Sequence, residues 1–329
     1  MSAAPLVGLD RIREAARLLQ GVTLRTPLVA FGDPAQGHLL KAESLQPIGA
    51  FKLRGAYTAI ALLGPDARRN GVITYSSGNH AQGVARAARL LGCRAVVVMP
   101  TNAPAIKRAR VLADGAEVVT VGPASAERQA VAERLAAERG LAIIPPYDDD
   151  RIIAGQGTCG LEIAEDVDDL DLVLVPVGGG GLASGVAAAV RALQPAARVI
   201  GVEPELAADA QESLAVGRIV EWSADDVSRT IADGTRTQAL GERTFAHLQA
   251  LLDGIVTVSE AEIAAAVRLA AEESRLVVEP SGALSIAALR FHADELGLPL
   301  ARGRVVAVVS GGNVDPALYV EYLQAPIPG

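Results

Sequence analysis

The 329-residue chain has few cysteines and no long apolar stretch free of glycine and proline. Cys93 and Cys159 lie far apart without CxxC spacing, so neither a disulfide scaffold nor a cysteine-based zinc site is indicated. The longest uncharged run, residues 172–190, contains Pro176 and five glycines, which predicts strand, loop and helix instead of a membrane span. The length of the whole chain and its 50% hydrophobic content are typical of a soluble protein of about two domains.

The charged residues exclude further classes. The 30 basic side chains are scattered among 38 acidic ones with no basic run, which argues against a nucleic-acid partner. Acidic and basic residues also alternate at helical spacing near the N-terminus, unlike a signal peptide, so we expect a cytoplasmic protein without a membrane partner. The chain contains 27 arginines but only three lysines, Lys41, Lys52 and Lys107. Because a guanidinium cannot form a Schiff base, each retained lysine is a candidate for amine chemistry.

Apolar β-branched runs alternate with amphipathic segments from residue 71 almost to the end, which predicts βαβ units and an α/β fold. Residues 67–149 hold four predicted strands and three helices, and we expect a small inserted α/β domain there. Residues 1–66 and 150–329 then form the large domain, with a cleft between the two. The predicted strands cover residues 71–76, 93–100, 116–122, 141–145, 170–177, 198–203, 255–258 and 304–310. The predicted helices cover residues 79–91, 105–114, 126–139, 183–193 and 261–274.

A run of four glycines, Gly178, Gly179, Gly180 and Gly181, follows an apolar strand and precedes an Ala-rich helix. Side chains there would block an anion from backbone amides, and the helix N-terminus adds a favourable dipole, so the run predicts a phosphate cradle. No GK[ST] follows, and the spacing does not match GxGxxG. Glu203 nevertheless lies where a ribose-binding acid would end the next strand, which leaves a nicotinamide-dependent oxidoreductase as an alternative. A tight structural turn also remains possible.

Lys52 lies between Phe51 and Leu53 at the predicted start of a helix. Helix dipole and apolar neighbours both disfavour an ammonium, which is how an amine becomes reactive. A surface lysine extending from an amphipathic helix is the alternative.

Three further polar turns are candidate binding segments. The turn at residues 76–83 offers Ser76, Ser77, Asn79 and His80 at a strand end, a set suited to gripping a carboxylate or a phenolic oxygen. Ser310 in the turn at residues 310–313 offers a neutral hydroxyl at another strand end. The segment 202–209 gathers Glu203, Glu205 and Asp209, which are hard-cation ligands when they converge and otherwise a solvated loop.

With these segments laid out, the chain resembles the fold-type II pyridoxal-phosphate enzymes, specifically the threonine/serine dehydratase and serine racemase family. The resemblance runs from RTPL at residues 25–28 to SGGNVD at 310–315. Between them, GAFKLRGA, SSGNHAQG, IAGQGT, PVGGGGL, TIADG and EPSGA occur in the family's order. It implies a fold like that of the tryptophan synthase β subunit, with two open twisted mostly parallel sheets and a cleft between a large and a small domain.

Carried over by motif, the resemblance implies that Lys52 forms the internal aldimine with pyridoxal 5'-phosphate while Phe51 packs on its ring. The four glycines would bind the phosphate, Asn79 the ring hydroxyl and Ser310 the pyridine nitrogen. A neutral partner for that nitrogen makes a milder electron sink and favours β-elimination over transamination. The substrate-binding residues implied by the family are Ser76, Ser77, Asn79, His80 and, by a less direct match, Arg128.

The activity implied is the conversion of L-threonine or L-serine to a 2-oxo acid and ammonia. Ser77 keeps serine racemase open as an alternative, because racemases of this family use this serine as acid and base on the face opposite the lysine. Hydroxyaspartate dehydratase is a further alternative. A β-replacement synthase and a non-catalytic binding protein also remain open.

The racemase branch of the family further implies a divalent cation, Mg²⁺ or Ca²⁺, held by Glu203, the Ala207 carbonyl and Asp209. A homodimer is the family expectation. The chain ends soon after SGGNVD, so we expect neither the regulatory C-terminal domain of the biosynthetic dehydratases nor isoleucine feedback.

Overall fold

Two sheets organise the chain in a computed structural model that describes residues 5–76, 78–101, 103, 105–122, 125–297 and 304–328. The strands are β1 (Leu28–Ala30), β2 (His38–Ala42), β3 (Val72–Tyr75), β4 (Ala95–Pro100), β5 (Glu117–Val121), β6 (Ala142–Ile143), β7 (Leu172–Pro176), β8 (Arg198–Pro204), β9 (Gly254–Val258) and β10 (Val305–Val309). The first helices are α1 (Leu9–Leu18), α2 (Lys52–Ala61), α3 (Pro65–Asn70), α4 (Asn79–Leu90), α5 (Ala105–Ala113), α6 (Ser125–Arg139) and α7 (Asp150–Asp166). The remaining helices are α8 (Gly181–Leu193), α9 (Asp209–Val216), α10 (Ala224–Val227), α11 (Glu242–Leu251), α12 (Glu260–Ser274), α13 (Pro280–Phe291) and α14 (Pro316–Leu323).

The larger sheet has the strand order β1-β2-β10-β7-β8-β9 and the smaller one the order β5-β4-β3-β6. Among the strand pairs of the described residues, only β1–β2 is antiparallel, so the prediction of two mostly parallel sheets in an α/β fold is confirmed. Strands β4, β7 and β10 are buried at every position because helices cover both faces of a parallel sheet. This burial explains why they read in the sequence as unbroken apolar runs.

Helix α2 lies between the two sheets. Its Leu53 and Ile60 share a core with Val72 and Val97 of the smaller sheet, although α2 precedes that sheet in the chain. Its opposite side packs against α7. The division into residues 67–149 and the rest therefore remains a proposal, with α2 contacting both parts.

Three adjacent strands of the larger sheet end at the same edge. Strand β2 leads to the segment before Lys52, β10 leads to Ser310, and β7 leads to the four glycines. Because β2, β10 and β7 are parallel neighbours, these three segments meet beyond their carboxyl ends, where open α/β sheets bind ligands.

None of the described helices combines the length and the apolar content that crossing a bilayer requires.

Candidate active site

Lys52 is the first residue of α2. Its Nζ donates a hydrogen bond to the Pro146 carbonyl at 3.0 Å and lies 5.0 Å from the centre of the Phe51 ring. The backbone N–H of Phe51 donates to the Ser310 carbonyl, which joins this segment to the end of β10. Burial lowers the pKa of Lys52 to about 8, so a larger share of the amine is neutral than in water.

The four glycines form a turn between β7 and the N-terminus of α8. Among the described residues, none accepts a hydrogen bond from the backbone N–H groups of Gly178, Gly179, Gly180 or Gly181. A Cβ on Gly179 would overlap the Tyr147 ring, and Gly180 has a φ of +85° that favours glycine. Unpaired amides at a helix N-terminus form an anion site, so the turn fits a phosphate group.

The polar turn after β3 contributes Asn79, the first residue of α4. Its Nδ2 donates to Glu279 Oε1 at 2.5 Å, and its Oδ1 accepts from Asn313 Nδ2 at 2.8 Å. These two bonds fix the orientation of the amide and leave one N–H of Asn79 available for a ligand. Ser76 follows β3 directly, whereas Ser77 lies outside the described residues.

His80 is buried beneath this turn. Its Nε2 donates to the Ile144 carbonyl at 3.1 Å, and its Nδ1 has no partner among the described residues. Burial, reinforced by the charge of Lys52, lowers the pKa of His80 to about 3. The imidazole is therefore neutral and supports the turn without adding a positive charge to it.

Ser310 lies at the end of β10, and 5% of the residue is exposed. Its Oγ donates to the Ser281 carbonyl at 3.2 Å, while its own carbonyl accepts from Phe51. The hydroxyl oxygen keeps its lone pairs and can also redirect its proton to a ligand. The fold thus brings Phe51, Lys52 and Ser310 together.

Sequence reasoning did not single out Glu279, Asn313 and Tyr147. Burial, followed by the nearby charge of Asp233, raises the pKa of Glu279 to about 7. The sequence does carry a signal for two of them, since Glu279 opens the EPSGA motif and Asn313 closes SGGN. Tyr147 follows Pro145-Pro146, and its Oη donates to the Ala239 carbonyl at 3.2 Å.

Arg128 belongs to α6, which packs against β3 and β4 of the smaller sheet. Its side chain is partly buried, and that burial lowers its pKa. Arg128 therefore belongs to a helix of the smaller sheet, whereas the glycines and Ser310 follow strands of the larger sheet.

The predicted cation ligands lie at the end of strand β8 and just after it, and β8 is not one of the three strands that lead to Lys52, Ser310 and the glycines. The carboxylate of Glu203 accepts from the N–H groups of Ala210 and Gln211 at 3.2 and 2.8 Å. Both carboxylate oxygens of Asp209 are buried without a partner among the described residues. Burial raises the pKa of Asp209 to about 7, and burial together with Asp209 raises that of Glu203. Within the described ranges, no cluster of three or more His, Cys, Asp or Glu side chains is placed to hold a metal.

All three lysines have their amines engaged inside the molecule. The Lys41 Nζ donates to the Thr26 carbonyl at 2.7 Å and to Glu162 Oε2 at 2.6 Å, and the residue is 0% exposed. The Lys107 Nζ pairs with Asp233 Oδ2 at 2.5 Å, and its side chain is 11% exposed. The scarcity of lysine therefore coincides with internal roles for each one.

The pyridoxal-phosphate dependent enzyme family matches residues 19–311. The chain belongs to this family. Its members share the cofactor implied by the motifs, so the identification of a fold-type II pyridoxal-phosphate enzyme is confirmed, and the nicotinamide alternative loses its basis.

Three similar proteins cover nearly the same length. The L-threo-3-hydroxyaspartate ammonia-lyase of Saccharomyces cerevisiae is 44% identical over 85% of this chain and 83% of its own. The serine racemase of Schizosaccharomyces pombe is 42% identical over 95% of this chain and 96% of its own. The structure of the processed form of threonine deaminase isoform 2 from Solanum lycopersicum superposes with a TM-score of 0.87 and 37% identity. That match covers 97% of this chain and 95% of the tomato chain.

Proposed function

We propose that this protein is a pyridoxal-phosphate-dependent ammonia-lyase that converts L-threonine or L-serine to a 2-oxo acid and ammonia. The observation that carries the proposal is the amine of Lys52, which is desolvated and held in the same cleft as the unpaired amides of the glycine turn. The kinship with ammonia-lyases and a threonine deaminase supports the same reaction class.

The residues of the cleft fit the cofactor. Lys52 would hold it covalently, Phe51 would pack on its ring, and the N–H groups of residues 178–181 would hold its phosphate. Asn79 has one N–H left for the ring hydroxyl, and Ser310 supplies a neutral hydroxyl for the ring nitrogen. When bound, the cofactor stabilises negative charge at the substrate Cα.

Lys52 is then the base that takes the Cα proton of the substrate. A pKa of about 8 brings the amine closer to neutral pH than an ordinary lysine, which favours proton transfer at that pH. The turn carrying Ser76, Ser77 and Asn79 binds the substrate carboxylate. His80 contributes through the backbone and packing of that turn, because its buried ring is neutral.

Two second candidates each have a specific observation in their favour. The 44% identity to a hydroxyaspartate ammonia-lyase supports a substrate with a second carboxylate, for which the family resemblance offers Arg128 of α6. The 42% identity to a serine racemase and the presence of Ser77 support racemisation.

One experiment separates these activities. The purified protein is incubated with L-threonine, L-serine, D-serine and both diastereomers of 3-hydroxyaspartate, while 2-oxo acid and product chirality are followed. In parallel, borohydride reduction and mass spectrometry test for a cofactor adduct on the peptide that contains Lys52. We expect that adduct and 2-oxo acid from an L-β-hydroxy amino acid; no adduct at Lys52 would contradict the proposal.

Ser77→Ala tests the racemase alternative. Loss of serine racemisation with retained dehydration of the L-substrate would support a second-face role for Ser77. An equal loss of both activities would contradict it.

The proposal includes a divalent cation, Mg²⁺ or Ca²⁺, bound by Glu203, the Ala207 carbonyl and Asp209. Its support is the pair of Asp209 oxygens that are buried without a partner among the described residues. A cation bound there raises the melting temperature by an amount that depends on its concentration, and a chelator reverses the rise. Asp209→Asn abolishes the cation effect, whereas an identical response in that variant would overturn the site.

A cytoplasmic location and a homodimer complete the proposal. They rest on the sequence and on the family resemblance, and sedimentation of the purified protein measures the second.

A further inference from the structure

Two residues after Lys52, Arg54 is the centre of a buried cluster of four charged side chains and one threonine. We call it the Arg54 cluster; its members are Lys41, Glu43, Arg54, Thr158 and Glu162. The exposed fraction of Arg54 is 1%, and those of Glu43 and Lys41 are 0%. The cluster joins β2, the turn after it, α2 and α7.

Arg54 uses its whole guanidinium in this cluster. Its Nε and Nη2 donate to the two oxygens of Glu43 at 2.7 and 2.8 Å. Its Nη1 donates to Thr158 Oγ1 at 3.0 Å and to Glu162 Oε1 at 2.7 Å. Its Nη2 also reaches the Leu24 carbonyl at 3.1 Å. Such planar two-point contacts with a carboxylate require arginine and cannot be reproduced by lysine.

The cluster is also electrically balanced. Glu162 Oε2 accepts from Lys41 Nζ as well as from Arg54, so two cations face two carboxylates. Burial would raise the pKa of Glu43, but the Arg54 guanidinium outweighs that effect and lowers it. The Glu43 carboxylate therefore stays ionised in the interior, opposite the Arg54 guanidinium.

Backbone contacts hold the same turn of α2 from both sides. Before Lys52, the Phe51 N–H donates to the Ser310 carbonyl at 3.1 Å. After it, a Cβ on Gly155 of α7 would come within 2.6 Å of the Arg54 carbonyl, so the two helices touch through their backbones. The Gly55 N–H donates to Gln156 Oε1 at 3.2 Å. Lys52 thus lies between two anchored points.

Stability alone does not account for the Arg54 cluster, because well-packed apolar side chains of similar volume often stabilise a protein as well as buried ion pairs do. What the ion pairs add is a fixed geometry. We propose that Arg54 is a positioning residue for Lys52, fixing the first turn of α2 against Glu43 and Glu162 so that the Lys52 amine reaches the cofactor and the substrate at one defined place. This inference rests on the proposed role of Lys52.

The test uses Arg54→Lys, which keeps the positive charge and removes the planar guanidinium that binds both oxygens of Glu43. We expect kcat to fall at least about tenfold with KM changed less than about twofold, because a small displacement of the reacting group acts on the chemical step. A second measurement needs no turnover. The full-length chain, purified without cofactor, is reductively methylated over a range of pH, and the Lys52 peptide is quantified by mass spectrometry.

The labelling has a defined expected result. A looser first turn admits water, so the pH midpoint for labelling Lys52 moves up from about 8 toward the ordinary value for lysine. A purely structural role would lower the unfolding midpoint and leave this labelling midpoint unchanged. Only Lys41, Lys52 and Lys107 contribute lysine peptides, so the assignment is direct.

A second variant guards against simple unfolding. Arg54→Met combined with Glu43→Gln removes one charge of each sign, keeps an acceptor for the Thr26 hydroxyl and leaves Lys41 paired with Glu162. We expect it to fold and to show the same losses as Arg54→Lys. Arg25→Lys is the matched control, because the exposed Arg25 pairs with Glu165 and Asp166 on the same helix α7.

The outcomes are distinguishable. If both variants keep the kcat and the labelling midpoint of the wild type, or if neither folds, Arg54 is a structural residue and the inference is overturned. If the wild type itself carries no cofactor adduct at Lys52, the proposed function fails instead.

Discussion

Lys52 and Arg54 are two residues apart on one helix, yet their surroundings are opposite. Arg54 has its donors paired with Glu43, Thr158, Glu162 and a carbonyl. Around Lys52, by contrast, several polar groups have no partner in the part of the chain that the structure describes: the amides of the glycine turn, one N–H of Asn79 and the Nδ1 of His80. Because buried polar groups in folded proteins are nearly always paired, the unpaired set marks where a ligand belongs.

The comparison separates two uses of buried polarity. The polar groups of the Arg54 cluster form hydrogen bonds with one another, and these bonds fix the position of helix α2. The polar groups of the cleft are instead available to a bound molecule, and they determine which molecule fits. Breaking the first should reduce stability or precision, whereas breaking the second should reduce binding and chemistry.

The largest effect is expected in the cleft. Lys52→Ala removes the proposed attachment point of the cofactor and the proposed base, so we expect activity to fall by at least about 10³-fold. The rate of 2-oxo acid formation measures the loss, and the circular dichroism spectrum should stay unchanged. Lys107→Arg is the control, because it should retain the cofactor adduct on the Lys52 peptide. Substantial activity in Lys52→Ala would contradict the assignment of the cleft as the region that carries binding and chemistry.

Next in size is a break in the Arg54 cluster. Arg54→Met alone leaves two buried carboxylates with only Lys41 between them, and we expect the free energy of unfolding to fall by about 3–5 kcal/mol. Denaturant titration measures it, with Arg25→Met as the exposed counterpart, for which about 0–1 kcal/mol is expected. Equal losses in the two variants would mean that the buried cluster contributes no more to the free energy of unfolding than an exposed ion pair does.

A steric change in the glycine turn should have a smaller effect, confined to binding. In Gly179→Ala the new methyl group overlaps the Tyr147 ring, which must move along with the turn. Cofactor affinity then falls roughly 5- to 150-fold, because overpacking costs about 1–3 kcal/mol and about 1.4 kcal/mol corresponds to a tenfold change in affinity. Titration of the cofactor followed by its visible absorbance measures this. Gly64→Ala, with open space at its Cβ, should bind as the wild type does.

The smallest effect is a pH dependence. The amine reacts only when deprotonated, and its pKa is about 8 because burial disfavours the ammonium. The rate of cofactor attachment should therefore rise about tenfold between about pH 7 and pH 9 and then level off. Stopped-flow absorbance with the cofactor-free chain tests this. A rate still rising steeply above that range would indicate a solvated amine.

Much of this architecture could be predicted from the sequence, because the strands of parallel sheets are unbroken apolar runs with helical patterns between them. Strands β1 and β2 were not among the predicted strands. Helix α7 was not predicted either, since Gly155, Gly157 and Gly160 lower helix propensity. Its glycines instead allow close contact: a Cβ on Gly160 would meet the Val186 backbone of α8. Tertiary packing thus outweighed the local preference.

The cleft residues were predicted unevenly for a similar reason. Lys52, the glycines, Asn79 and Ser310 stand in motifs, and the fold gathers the segments that carry them. Glu279 and Asn313 act by orienting Asn79 from distant parts of the chain, a relation that spacing along a sequence does not encode.

The inward placement of Lys41, Lys52 and Lys107 has a practical consequence for handling the protein. Reagents that couple to lysine on the outside of proteins, such as activated esters used for immobilisation or dye attachment, meet few accessible lysines here. The amine with the lowered pKa is that of Lys52, for which we propose the catalytic role. Attachment through an introduced surface cysteine avoids that amine and fixes the orientation of every molecule on a support.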